Sequence, residues 1–130
     1  MICGNGGSSC ESSHFAGELV GRFEHERRAL PAISLSDPAI ITAIANDYSF
    51  DKVFSRQIEA LGKKEDFLIV LTTSGKSKNI LEAIKTAKKM GIQSHMFPTN
   101  TTLGSDTAKT QQYHLWMIHQ IARKVEEAFV

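Results

Sequence analysis

His14 and Glu18 stand four residues apart in a stretch of helical spacing, so both side chains leave one helix face about one turn from each other. An imidazole and a carboxylate placed in this way can share a proton-transfer site or supply two ligands to a metal ion. Gln111 and His119, eight residues apart in a second helical stretch, also lie on roughly one face. A metal could join the two pairs. The plainer alternative stays open for each: His14 and Glu18 as an exposed pair worth a few tenths of a kcal/mol, and His119 as a satisfied helix histidine. His25, His95 and His114 have no comparable partner in the pattern and read as surface or structural residues.

A different chemistry is suggested by Leu68-Ile69-Val70-Leu71-Thr72-Thr73-Ser74-Gly75-Lys76-Ser77-Lys78-Asn79. The apolar run has the length of a buried parallel strand, and Ile80, Leu81, Ile84 and Ala87 continue at helical spacing beyond it. The turn between them sets the hydroxyls of Thr72, Thr73, Ser74 and Ser77 beside the free N–H groups of a helix N-terminus, where the macrodipole also favours an anion. A phosphate fits such a turn; a simple N-cap and glycine turn is the alternative.

The elements that must position these groups follow in order. Met1-Ile2-Cys3 reads as the end of a buried strand, Gly4-Asn5-Gly6-Gly7-Ser8-Ser9 as a turn, and Ser12 to Phe23 as a helix capped by Ser8 or Ser9. Three residues are few for a strand, so the pattern predicts a preceding segment or a partner beside it. Glu24-His25-Glu26-Arg27-Arg28 reads as a solvated charge run, Ala32-Ile33-Ser34-Leu35 as a short strand, and Ser36-Asp37-Pro38 as a turn. A helix from about Ala39 to Ala45 leads into a loop, Asn46-Asp47-Tyr48-Ser49, and Val53 to Leu61 is a further helix. From Ile92 to Thr110 no strand is evident, and the sheet is expected to lose one there. Gln111 to Phe129 is a strong helix whose Leu115, Ile118, Ala122, Val125 and Phe129 predict the buried stripe.

With 130 residues, 42% hydrophobic and 22% charged, the chain suits one domain, residues 1–130. A formal net charge of +1 gives no basis for a nucleic-acid or acidic-membrane surface. Cys3 and Cys10 make neither a disulfide framework nor a paired zinc motif, and both are expected to be small buried apolar residues in a reducing compartment. No apolar run is long enough to span a membrane and no secretory leader pattern is present, so a soluble cytoplasmic protein is expected.

Six motifs then accumulate in one order: Cys3-Gly4-Asn5-Gly6-Gly7-Ser8-Ser9, His14-Phe15-Ala16-x-Glu18-Leu19, Asn46-Asp47, Phe54-Ser55-Arg56-Gln57, Thr73-Ser74-Gly75-x-Ser77-x-Asn79 and Gln111-x-x-His114. Together they closely resemble the phosphoheptose isomerase family of sugar-isomerase (SIS) domains. The resemblance implies an α/β fold, a three-layer, doubly wound, mostly parallel sheet flanked by helices. It also implies isomerisation of sedoheptulose 7-phosphate to a heptose 7-phosphate on the way to bacterial lipopolysaccharide. By position, Thr72, Thr73, Ser74 and Ser77 would hold the phosphate, while Asn5, Gly6, Gly7, Ser8, Asn46, Asp47 and Gln111 would contact the substrate. His14, Glu18, Gln111 and His119 would bind one zinc ion per subunit, with Glu18 as general base and His119 as general acid. A homotetramer with sites at subunit interfaces is implied as well.

Against that family, the helices before the first strand are missing, and residues 92–106 look too short and too polar for the family's strand and loop, which would impair assembly. Thr107 or Ala108 stands where the family has an acidic or hydroxyl contact. Two other readings belong to the same fold: a non-catalytic regulator that binds a replication initiator, and a sugar-phosphate sensor. The regulator has no need of His14, Glu18, Gln111 and His119 together, which favours the enzyme, and the DNA-binding module to which the sensor is normally fused is not seen in this sequence.

Overall fold

The computed structural model describes residues 1–130. Strand β1 (Ile2–Gly4) lies inside the sheet and pairs in parallel with β2 (Phe67–Leu71), Ile2 opposite Ile69 and Gly4 opposite Leu71. On its other side Ile2 forms a parallel bridge to Ser34: its N–H donates to the Ile33 carbonyl and its carbonyl accepts from Leu35 N–H, both at 2.9 Å. The short strand read at Ala32–Leu35 is thus reduced to one bridge. Pairing on both sides is what lets three residues serve as a strand.

β3 (Gln93–Met96) pairs in parallel with β2, from Phe67 opposite Gln93 to Val70 opposite Met96. This corrects the expectation that the sheet loses a strand between Ile92 and Thr110. β3 lies at the sheet edge with Gln93, Ser94 and His95 exposed, so backbone pairing forms it and an apolar pattern is not required. A short helix, α5 (Asn100–Leu103), follows it, with Thr99 as cap.

The spatial order is residues 33–35, β1, β2, β3. Chain order therefore reverses between β1 and β2, as in doubly wound sheets. Side chains alternate to two apolar layers. On one face Cys3, Leu68 and Val70 meet Phe54 and Ile58 of α3 (Ser55–Leu61) and Ile80, Ala83 and Ala87 of α4 (Lys78–Lys89). On the other, Ile2 and Leu71 meet Phe15 and Ala16 of α1 (Gly7–Val20) and Ile118 and Ala122 of α6 (Thr107–Glu127). The three-layer, doubly wound fold class holds.

Several local expectations are corrected. α1 is capped by Gly6, with no serine side-chain cap, because Gly6 at φ 56° turns the chain as only glycine does readily, and the helix stops at Gly21. Asn46 and Asp47 are helical, not loop: α2 (Pro38–Asp47) starts at the Asp37 cap, packs Ile41, Ile44 and Ala45 on the core, and runs on until Tyr48. Cys10 is exposed on α1, while Cys3 is buried and its thiol is pushed up to about 12 by burial. On α6 the buried stripe is Thr110, His114, Ile118, Ala122 and Glu126, and Leu115 and Phe129 are exposed. His114 and Glu126 take places in the stripe because each meets polar groups from other elements.

Glu126 shows why. Its carboxylate, 1% exposed, accepts N–H bonds from Phe23 at 2.9 Å and from Glu24 and His25 at 2.8 and 2.9 Å, with Arg27 Nε at 3.5 Å. Arg27 donates in turn to the carbonyls of Gly21 and Glu18. The charge run is a loop with Glu24, His25, Glu26 and Arg28 exposed, as expected, but it is clamped onto α6 and Arg27 is buried. Burial alone would raise the Glu126 pKa, but the three backbone donors, with Arg27 beside them, hold it below the usual carboxylate value. A carboxyl lowered on folding stabilises above its unfolded pKa, about 4.3, and that contribution is lost as pH falls through the folded value. Glu126→Gln should lower Tm by several degrees at neutral pH and flatten the acid limb of the stability curve. Thermal melts across acid pH check this; melts matching the wild type at every pH would refute the clamp.

Candidate functional site

β1 and β2 run side by side and deliver their turns to one end of the sheet, where α1 and α4 begin. The order of strands reverses at this point, so the two helices leave to opposite faces and a cleft opens between their N-termini. The cleft holds about 70 Å³. Asn5 and Ser8 line it from the first turn, Leu71 to Ser74 and Ser77 from the second, and Gln111 from α6. With a water occupying about 30 Å³ of liquid, the space suits a phosphate group.

Donors converge there. Ser77 is the N-cap of α4 without using its side chain as a cap, which leaves its hydroxyl and the helix's first N–H groups available. Thr72 and Ser74 brace the turn, their hydroxyls accepting from Gly75 N–H at 3.2 Å and Lys76 N–H at 3.1 Å. Gly7 lies directly under Gln111, where a Cβ would come within 2.7 Å of the Gln111 Nε2. Asn5 and Asn79 tie the two turns together through reciprocal amide bonds, both 2.8 Å.

Along the same helix pair lies a second group. His14 Nε2 is 2.9 Å from Glu18 Oε1 and 3.1 Å from His119 Nε2, and the three donor atoms fall within 4.8 Å of one another. Phe23 packs on the His119 ring at a centroid distance of 5.2 Å. Only one hydrogen can occupy the contact between the two facing Nε2 atoms, so three electron-pair donors converge on too few protons. Two imidazoles and a carboxylate in this arrangement fit a divalent metal such as zinc. The Gln111 side chain packs on Gly7 and lines the cleft. Asn46 and Asp47 lie exposed at the end of α2, bonded to each other at 3.0 Å and outside the cleft lining.

Between cleft and cluster the helices place Glu11 beside His114, Oε2 to Nδ1 at 3.9 Å. Burial pushes the Glu11 carboxyl up to about 7 and the His114 imidazole down, the latter opposed by the bond to the Pro98 carbonyl.

A family model for the SIS domain matches residues 1–94. The chain is 49% identical to a phosphoheptose isomerase of Campylobacter concisus over 143 aligned positions, spanning 99% of this chain and 76% of that protein. It belongs to the phosphoheptose isomerase family of SIS domains. A phosphoheptose isomerase of Helicobacter pylori (strain P12) is 46% identical, over 99% of this chain and 74% of that one. Among solved structures, phosphoheptose isomerase from Neisseria gonorrhoeae superposes with a TM-score of 0.86 at 33% identity, covering 97% of this chain and 74% of that one. The enzyme from Francisella tularensis gives 0.83 at 35%, covering 94% and 73%.

Two members of the site escaped the sequence reading. Asn79 stood in a quoted motif without a role, and its partnership with Asn5 spans 74 residues of chain. Glu11, three residues before His14 on the same face, carried a helical signal that was available. Asn79→Ala should cost about 1–3 kcal/mol by orphaning the Asn5 amide. Adding Asn5→Ala should then cost little more, a coupling that a double-mutant cycle of urea unfolding measures.

Proposed function

We infer that this chain is a phosphoheptose isomerase that converts sedoheptulose 7-phosphate to D-glycero-D-manno-heptose 7-phosphate. The observation that carries the reading is the placement, along the α1 and α6 pair, of an anion cleft at one level and the His14, Glu18 and His119 cluster about two turns further on. Thr72, Thr73, Ser74 and Ser77 grip the phosphate with the α4 N-terminus, and Asn5, Gly6, Gly7, Ser8 and Gln111 complete the cradle. Gly6 serves by the positive φ that turns the chain, and Gly7 by letting Gln111 approach. Asn46 and Asp47 would contact the sugar, as the family resemblance implies.

A ketose–aldose shift moves a proton from C1 to C2 through an enediol. Glu18, as general base, takes the C1 proton while His119, as general acid, protonates the C2 carbonyl oxygen. Glu18 then returns the proton to C2 as His119 recovers its own from the C1 hydroxyl. Atoms and charge balance without a co-reactant. His14, Glu18 and His119 would hold one zinc ion, with Gln111 as the fourth ligand implied by the family, and zinc there would supply polarisation of the carbonyl. A cytoplasmic homotetramer feeding lipopolysaccharide heptose synthesis completes the reading; no helix is long and apolar enough to cross a membrane. A protein-binding scaffold has no use for three converging donor atoms, so the non-catalytic alternative is not favoured.

In a coupled assay, Glu18→Gln and His119→Ala should each lower kcat by about 10² or more while leaving the melting curve intact. Unchanged turnover in both would overturn the assignment. Ser74→Ala should raise KM far more than it lowers stability, because in the fold it forfeits one local bond worth about 1 kcal/mol.

A further inference from the structure

The stretch of α1 and α6 between the cleft and the His14, Glu18 and His119 cluster contains two polar groups that neither end employs. His114 is fully buried, and the Glu11 side chain is 15% exposed. His114 Nε2 lies 2.6 Å from the Pro98 carbonyl oxygen. A carbonyl only accepts, so Nε2 carries the hydrogen and Nδ1 presents a lone pair. That Nδ1 has no partner, and neither has Glu11 Oε2 facing it. At 3.9 Å the two are beyond hydrogen-bond distance. A bridging water would need roughly 4.6 Å, two ordinary bonds at a tetrahedral angle, so the gap is also short for one. A carboxylate facing a lone pair is repelled, whereas a carboxylic acid donates to it. Burial, which lifts the Glu11 carboxyl to about 7, acts in the same direction.

The position gives this pair a use. Ser8 of the cleft lies three residues before Glu11 and His14 of the cluster three after, so Glu11 is midway along about 9 Å of helix. On α6, Gln111 and His119 bracket His114 in the same sense. A sugar phosphate gripped at its phosphate and presenting C1 and C2 to the cluster must pass its middle carbons across Glu11.

Resting on the isomerase reading, we propose that Glu11, as a neutral carboxylic acid braced by His114, holds the middle hydroxyls of the sugar and so selects its chain length. Oε2 donates to His114 Nδ1 as the gap closes on the bound substrate, and the solvent-facing oxygen accepts from a sugar hydroxyl. Catalytic contacts commonly tighten in this way on binding. A shorter ketose phosphate cannot both fill the cleft and reach the cluster across this point.

Steady-state kinetics, with inorganic phosphate as competitive inhibitor, tests the assignment. Glu11→Ala should lower kcat/KM for sedoheptulose 7-phosphate about tenfold and leave the phosphate inhibition constant unchanged. Glu11→Gln keeps a donor and an acceptor and should stay within about twofold of wild type. Infrared spectra should show a protonated-carboxyl band that Glu11→Gln loses. Equal losses for both ligands, or Glu11→Gln as impaired as Glu11→Ala, would overturn the role of Glu11 and leave the isomerase reading standing. A wild-type chain that binds phosphate calorimetrically but turns over no sedoheptulose 7-phosphate would overturn both.

Discussion

The parallel contact between β1 and β2 is the constraint on which everything else hangs. Two neighbouring parallel strands end at the same level, and their helices depart to opposite faces, so two helix N-termini are forced to flank one gap. Polar groups at such a gap need partners. The Asn5 and Asn79 amides satisfy each other across it, which sets the spacing of the two turns and leaves the hydroxyls of Ser8, Thr73 and Ser77 for something else. The cleft is thus a by-product of topology that a few short polar side chains line.

The second axis of the molecule is the contact between α1 and α6. Gly7 meets Gln111, Glu11 meets His114, and His14 meets His119, so the contacts climb both helices together. At the far end Glu126 accepts three backbone donors from the loop that follows α1 and pairs with buried Arg27. A buried ion pair of this kind is weak support for stability in itself. Its geometry, however, holds the exit of α1 at one height on α6, and that height decides whether His14 and His119 face each other. The structural clamp and the chemical cluster therefore share a helix pair, about two turns apart.

Much of this could be read from local pattern. The apolar run Leu68–Leu71 with its hydroxyl turn, the glycine turn before α1, and the i, i+4 spacing of His14 and Glu18 each report neighbours within one element, where periodicity suffices. β3 could not be read so, because an edge strand is held by backbone bonds to β2 and its exposed side chains need no apolar signature. Nor could the rotation of α6: Leu115 and Phe129 fitted an apolar stripe, but His114 and Glu126 face inward because polar groups from other elements wait there. Asn46 and Asp47 looked like loop residues until the core contacts of Ile41, Ile44 and Ala45 carried α2 through them.

By itself the sequence determined the chemistry on offer and the order in which it is presented: a phosphate-sized turn, a histidine and carboxylate pair, a distant histidine, and motifs of one family. Residue type and short spacing carry that information without any fold. Only the tertiary structure decided which of these groups meet. It set His119 against His14 across 105 residues of chain, kept Gln111 at the cleft, and left Glu11 Oε2 and His114 Nδ1 without partners between the two sites. Such meetings depend on the register of one helix on another, which is fixed by packing and by buried polar contacts far along the chain.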